Sequence, residues 1–516
     1  DIDGQGRIFP LVVNIFELFW PRLLEAGFIK RLVTPVRRVY PKSGGKILEF
    51  YTEYEYTEWA KTADESKYKV KYIKGLSGHT HEDTNHIFEN FEKNIYSYYP
   101  DAETSTIYEH YLGKDSNIRK IYLRQPQQHP PAELILKQKS ERRVNFTDHI
   151  KYENDDYKRE NNFRTFYGIG DGFNEGGRKI INGSLKRFAD KNQEIKVSQL
   201  AGAIIESQQY HYGDDPLQNS IFGKFQWYPG GTQLPLLRIH GQYGDRGQGV
   251  KNHGAARYTY VNLNKRVIEA VLPQDDKYVL DYVFDDGCRV EPKSFAPIVP
   301  LSLLESVHMP GDAWAVQIWA RDIFDVIRNV RNMIKFYSEY GGDINRIPIL
   351  SMKPYCYGWK GEFREIRGVT YSVGYYLYNP DTRIIKITEL PLRVWHQVYT
   401  ETVEKKKEIK IGNKIVQMFD CINKKDKEFV RNESSDNFID IEIALAKPNN
   451  GYDPYNIIME HADENWADGF EVYLKLIEPM HSNLNYIGWE RNVIECSSYE
   501  QLIRLWFPFR KNIYEK

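Results

Sequence analysis

An arginine followed by a tyrosine, Arg257-Tyr258, closes a glycine-bounded stretch that runs from Gly249 through Lys251, His253 and Gly254. A phenol, with an ordinary pKa of about 10, is a poor nucleophile at neutral pH. A neighbouring guanidinium changes that, because it stabilises phenolate and grips a phosphate oxygen in the same fork. Phenoxide also leaves phosphorus more readily than alkoxide does, so an aryl phosphodiester stores a bond that can be remade. The chain has 38 tyrosines, most of which must serve packing or surface, so spacing alone leaves Tyr258 one candidate among many.

Three further constellations could do chemistry, each with a plainer reading beside it. In Asp1-Ile2-Asp3-Gly4, two carboxylates on one side of a strand end can share a hard cation such as Mg²⁺, although turns and helix caps use the same spacing. In the stretch from Asp171 to Lys179, glycines turn the backbone and Arg178-Lys179 opens a helix that could face phosphates, or simply a surface helix after a loop. In Ser306-Val307-His308-Met309-Pro310-Gly311, Met309 and Pro310 at a glycine turn are either packing or an apolar wedge for a base step.

The elements that must position these residues belong to a long chain: 516 residues imply several domains, each with its own core. The composition, 41% hydrophobic and 27% charged, reads as that of a soluble globular protein, and no apolar run reaches membrane-spanning length. No secretory pattern opens the chain, and Asp1-Ile2-Asp3-Gly4 reads as the start of a piece of something longer. Four scattered cysteines fit a reducing compartment. A net charge of -1 excludes a uniformly basic nucleic-acid binder but not a focused positive face. The basic clusters Lys137, Lys139, Arg142, Arg143 and Arg178, Lys179, Lys186, Arg187 place any such face in the first half.

Hydrophobic periodicity gives a multidomain α/β and α+β chain. Leu11 to Trp20 reads as a buried helix, followed by strands near Thr34 to Val39, Ile47 to Tyr51 and Tyr68 to Ile73. The last of these ends at Lys74-Gly75-Leu76 before a helix from Glu82, as at the carboxyl end of a parallel sheet. Residues 101–143 read as an irregular connector. Residues 144–272 carry helices at Ile180 to Phe188 and Val197 to Ser207, and suit either a winged-helix DNA reader or a plain adaptor domain. Residues 273–498 are mixed α+β, and 499–516 form an amphipathic helix.

These segments, in this order, resemble the DNA-binding and cleavage core of type IIA DNA topoisomerases of the eukaryotic and large-DNA-virus kind. Asp1-Ile2-Asp3-Gly4 is similar to the family's Asp-x-Asp-x-Asp-Gly metal motif, and Lys74-Gly75-Leu76 to its Lys-Gly-Leu-Gly turn. Val197 to Gly202, Tyr210 to Gly213, Gly241 to Arg246 and Ala256-Arg257-Tyr258 resemble its winged helix and active-site segment. Arg289 to Pro292 and Leu390 to Trp395 resemble tower segments. Asn174-Glu175-Gly176-Gly177 departs from the usual Lys-Pro-Gly-Gln, and His308-Met309-Pro310-Gly311 stands where a glycine-rich run with an isoleucine wedge is usual. Such divergence points to a viral member.

The resemblance implies a partial TOPRIM α/β domain over 1–100, a winged-helix domain over 144–272, an α+β tower over 273–498 and the start of a coiled coil over 499–516. It implies Tyr258 as nucleophile with Arg257 as its partner. It also implies Mg²⁺, for which Mn²⁺ can substitute, at Asp1 and Asp3 together with a glutamate before the chain begins. DNA contacts would come from Lys74, Arg178, Lys179, His211, Lys251, Met309 and Pro310. The expected partners are double-stranded DNA and a second copy of the chain, with no membrane. ATP would act only through a domain outside these residues. The setting is intracellular: a virus's factory in the host cytoplasm, or the nucleus of a cell. Two other classes remain open, a metal-dependent nuclease and a DNA-binding protein without catalysis.

Overall fold

The structure is a computed structural model that describes residues 3–73, 80–224, 228–285, 287–425, 427–463 and 466–516. Three larger hydrophobic cores organise the described residues. The first gathers Val13, Leu24, Tyr98, Tyr108, Val144 and Phe146. The second runs from Phe166 through the helices after it to Trp506. The third lies between Ile385 and Leu476.

In the first part, strand Arg37–Pro41 is central and pairs antiparallel with Leu48–Phe50 and Tyr68–Tyr72, placing Val39 opposite Leu48 and Val70. The expected parallel arrangement at this strand is therefore corrected: alternating residue types reveal a strand but not the direction of its partner. A parallel ladder occurs instead between Ile95–Tyr99 and Arg143–Asn145. Helix His81–Glu89 starts on a Thr80–Asp83 capping box. Asp83 also pairs with Lys71 at 2.8 Å and with the buried Arg38, which pins the helix to the sheet. Helix Phe9–Phe19 forms where expected, but only Pro10 and Val13 are buried on it. Leu11, Val12, Ile15, Leu18 and Phe19 stay exposed, because the helix is apolar on more faces than the first core covers.

Residues 101–143 are not irregular. They carry helices Thr104–Leu112, Ser116–Arg124 and Ala132–Glu141. Tyr108 and Tyr111 are buried in the first core.

The middle part packs helices Glu175–Arg187, Val197–Gln208 and Asp214–Lys224 beside a small antiparallel sheet. In that sheet strand Tyr260–Leu263 lies between Ile195–Lys196 and Leu237–His240. Three helices with a strand wing are one of the two arrangements the sequence pattern left open, the other being a plain adaptor domain. The final helix, Tyr499–Glu515, buries Leu502, Ile503, Trp506 and Phe507 in the same core as these helices.

Candidate functional site: an exposed arginine and tyrosine on an anchored turn

The turn that carries Arg257 and Tyr258 is fixed at both ends. Ala256 and Thr259 are buried, whereas Arg257 is exposed and Tyr258 keeps 71% of its surface open. The first backbone N–H groups of helix Val197–Gln208 have no partner within the helix. They are satisfied here by the turn: Ser198 N–H donates to the Ala256 carbonyl at 3.0 Å and Val197 N–H to the Thr259 carbonyl at 3.0 Å. Within the turn Tyr258 N–H donates to the Ala255 carbonyl at 2.8 Å. The result is a rigid pedestal that lifts two adjacent side chains into solvent. The Arg257 guanidinium lies 5.2 Å from the centre of the Tyr258 ring. Among the described residues no carboxylate pairs with Arg257, so its charge is available to an anion.

The strand before the turn, Gly249–His253, pairs with Tyr243–Asp245 and displays Lys251 on its exposed side. It is held from behind by the third-core unit. Gly249 has φ +68, and a Cβ there would lie 2.6 Å from the Trp395 ring, so both backbone and space require glycine. Arg246, buried, pairs with Glu389 at 2.6 Å, while its carbonyl accepts from His396 N–H at 3.0 Å. Sequence reading missed this interlock because its partners lie 143 residues apart.

Two expected phosphate contacts are paired inside the fold within this chain. Arg178 is buried and forked onto Asp171, at 2.7 Å from Nε and 3.1 Å from Nη2. Lys179 is buried between Glu291 at 2.9 Å and the Gln208 carbonyl at 2.8 Å. Asn174 caps their helix through Gly177 N–H, and that register turns both cations inward. They join elements, and their charge is neutralised inside the fold. His211 is half-buried, with Nε2 3.0 Å from Asp285, and its ring lies 5.7 Å from that of Tyr72.

Met309 and Pro310 lie on the first strand of a hairpin, Val307–Pro310 paired with Ala315–Ile318. Met309 packs partly on the second core, and Pro310 is exposed at the tip. Gly311 sits against Phe166, whose ring would be 2.3 Å from a Cβ at that position. The loop is held by Lys158 and Asn161, which reach Asp312 at 3.0 and 2.7 Å.

Asp3 is the described member of the expected carboxylate pair; Asp1 and Lys74 lie outside the described residues. The Asp3 carboxylate faces Arg164 at 3.2 Å, and Arg164 lies over the Tyr212 ring at 5.2 Å. Among the described residues no group of three His, Cys, Asp or Glu side chains could hold a metal ion. One carboxylate committed to a guanidinium does not fit a divalent cation, so the described donors alone do not make that site. Within one chain the guanidinium facing Asp3 is that of Arg164, whereas Arg257 lies over the Tyr258 ring.

The layout is that of a multidomain α/β protein which presents a guanidinium and a phenol together on one anchored, exposed turn of a winged-helix unit. Residues 164–516 match the DNA gyrase/topoisomerase IV family model, and the chain belongs to that family. Residues 32–162 match a model described as the C-terminal associated domain of TOPRIM. The chain is 33% identical to DNA topoisomerase 2 of African swine fever virus over 527 aligned residues, covering 100% of the chain and 42% of that protein. It is 30% identical to human DNA topoisomerase 2-beta over 78% of the chain and 24% of that protein. The crystal structure of the Plasmodium falciparum topoisomerase II DNA-binding, cleavage and re-ligation domain superposes with a TM-score of 0.73 at 25% identity, covering 100% of this chain and 65% of that one. The chain thus spans about two fifths of the length of its viral relatives, and at 33% identity it is a relative of the African swine fever virus protein, distinct from it.

Proposed function

We propose that this chain is the DNA-cleaving and rejoining part of a type II topoisomerase. The observation that carries the reading is the Arg257-Tyr258 pair, raised on a turn whose neighbours Ala256 and Thr259 are locked to a helix N-terminus. The Tyr258 oxygen attacks a backbone phosphorus of the duplex. A new O–P bond forms as the bond to the 3′ oxygen breaks; the phenol's proton is lost to solvent, and the departing oxygen takes up a proton from solvent to leave as the sugar's 3′ hydroxyl. Arg257 grips a non-bridging oxygen, where charge grows as phosphorus becomes five-coordinate; such electrostatic support is worth about 3–4 kcal/mol in comparable sites. The 5′ end stays joined to Tyr258, so the reverse attack reseals the strand without an outside energy source.

Lys251, exposed six residues before Arg257 on the same hairpin, and His211 serve as neighbouring DNA contacts. One tyrosine cuts one strand, so a double-strand break requires a second copy of the chain, related by a two-fold axis. ATP-driven strand passage, with relaxation or decatenation, belongs to a longer protein that contains this part, in an intracellular setting. A divalent cation at Asp1 and Asp3, Mg²⁺ with Mn²⁺ as its substitute, belongs to the same reading.

The test is Tyr258→Phe, assayed with supercoiled plasmid, Mg²⁺ and a denaturant trap. Wild type yields protein joined to 5′ ends and the variant yields none while still binding DNA. An adduct that survives in the variant overturns the assignment. Breaks without any adduct in wild type indicate a nuclease, and binding without breaks indicates a non-catalytic DNA binder.

A further inference from the structure

On the side of the third-core unit that faces the tyrosine hairpin lies a groove of about 260 Å³. It is lined by Arg393, Lys406 and Lys475 against a single carboxylate, Glu478, with Trp395 and Val398 as its apolar wall. Among the described residues none of the three cations has an ion-pair partner. Lys406 and Lys475 repel one another, and Glu478 is the one carboxylate among the lining residues to offset three cations, so the groove carries an excess of positive charge that an anion would relieve. Burial and the neighbouring Lys475 push Lys406 below the ordinary lysine range. Burial likewise pulls Arg393 down, opposed only by the phenols of Tyr228 and Tyr167.

Backbone geometry supports the same site independently. Arg393 has φ +64 and Lys475 has φ +53, a left-handed conformation that residues with a Cβ seldom adopt. Two such residues, both cations, border one groove, and strain of this kind persists where the surrounding structure enforces it. Lys406, which lines the groove, is held in place at its end, where Nζ donates to the Tyr473 carbonyl and lies 4.8 Å from that ring. The groove also shares a wall with the hairpin that leads to Tyr258. Trp395 lines the groove on one side and packs against Gly249 on the other, and Gln397 N–H donates to the Gly247 carbonyl at 3.2 Å.

We propose that Arg393, Lys406 and Lys475 form a phosphate-binding groove that takes one backbone phosphate of the same duplex whose cleavage is assigned to Tyr258. As a DNA contact it rests on that assignment; as an oxyanion site it stands on its own residues. Arginine supplies the fork, the two lysines supply point charges, and the indole wall excludes water from one flank. Neutralising one phosphate releases one condensed counter-ion, so the site contributes about 0.9 to the slope of log affinity against log salt.

The experiment measures binding of a long duplex by fluorescence anisotropy across a salt series, using the full chain and the double variant Arg393→Gly, Lys475→Gly. Glycine suits both left-handed positions, so the variant should melt no lower than wild type. A second variant, Glu478→Lys, adds a cation and needs no deletion. The expected result is a slope lower by about 1 for the double variant and steeper for Glu478→Lys, with affinity moving several-fold in the same directions. Slopes identical in all three proteins overturn the groove as a DNA contact. A parallel calorimetric titration with inorganic pyrophosphate separates the sources: pyrophosphate binding lost in the double variant with an unchanged DNA slope assigns the groove to a free anion and overturns the DNA assignment. A 5′ adduct at Tyr258 with unchanged slopes refutes the groove alone, whereas shifted slopes without an adduct refute the cleavage reading alone.

Discussion

Arg178 offers the sharpest contrast between a cation that holds the fold and one that holds DNA. Its guanidinium is forked onto the fully buried Asp171, which also accepts from Phe173 N–H at 3.1 Å and Phe295 N–H at 2.9 Å. Arg178→Met removes the charge and leaves the Asp171 carboxylate buried with two backbone donors. Breaking a buried pair on one side costs about 3–5 kcal/mol. For a cooperative unit of roughly 150–250 residues, each kcal/mol moves the midpoint by about 2–4 °C, so the lower end of that cost predicts a Tm drop of about 6–12 °C. Adding Asp171→Asn should restore most of the loss, because the double variant buries no unpaired charge. The assay is thermal unfolding of the four proteins of this cycle by circular dichroism, alongside the salt slope of DNA binding. The slope should stay at the wild-type value. An Arg178→Met protein that melts with wild type and loses about one unit of slope would falsify the burial argument and return Arg178 to the phosphate face.

Burial first, and then the charge of Asp155, push the Asp156 carboxyl up to about 7. A raised carboxyl favours the folded state below its unfolded pKa and loses that contribution as pH climbs from about 4 through about 7, a change of at most about 4 kcal/mol. Asp156→Asn should therefore melt close to wild type at pH 4 but above it at pH 8, and equal gaps at both pH values would refute this. Glu389→Gln leaves the buried Arg246 without its counter-charge and loosens the base of the tyrosine hairpin; cleavage should slow and the Tm fall while DNA affinity holds, as read by adduct formation over time. Pro310→Gly should reduce duplex bending in an energy-transfer assay more than Met309→Leu does, since Pro310 is the exposed tip and Met309 packs inward.

The sequence carried the local parts of the site further than its partnerships. Arg257-Tyr258, Lys251 and the exposed Pro310 are legible because solvent-facing chemistry is written in residue type and in nearby glycines. Helices Glu175–Arg187 and Val197–Gln208 are legible because one apolar face repeats along each. The partners of Arg178 and Lys179 are not legible, because a basic pair at a helix start reads the same whether it faces phosphate or the carboxylates of Asp171 and Glu291. Helix Asp155–Thr165 gave no apolar stripe at all. Of its buried residues, Asp155, Lys158 and Asn162 are polar and have polar partners, which leaves Tyr157 alone and gives periodicity nothing to detect.

That same helix joins distant parts of the molecule. From one end Arg164 reaches Asp3; from its flank Lys158, Asn161 and Asn162 hold the loop behind Pro310; and Glu160 meets Arg491 at 2.6 Å. A single short rod thus touches the carboxylate end of the chain and the tip assigned to the duplex. Free-energy linkage between two such ends is reciprocal. If freeing Arg164 from Asp3 shifts the rod, the loop behind Pro310 shifts with it, and a displacement of that loop acts back on the Asp3–Arg164 pair by the same free energy. Each end of the rod then reports the state of the other.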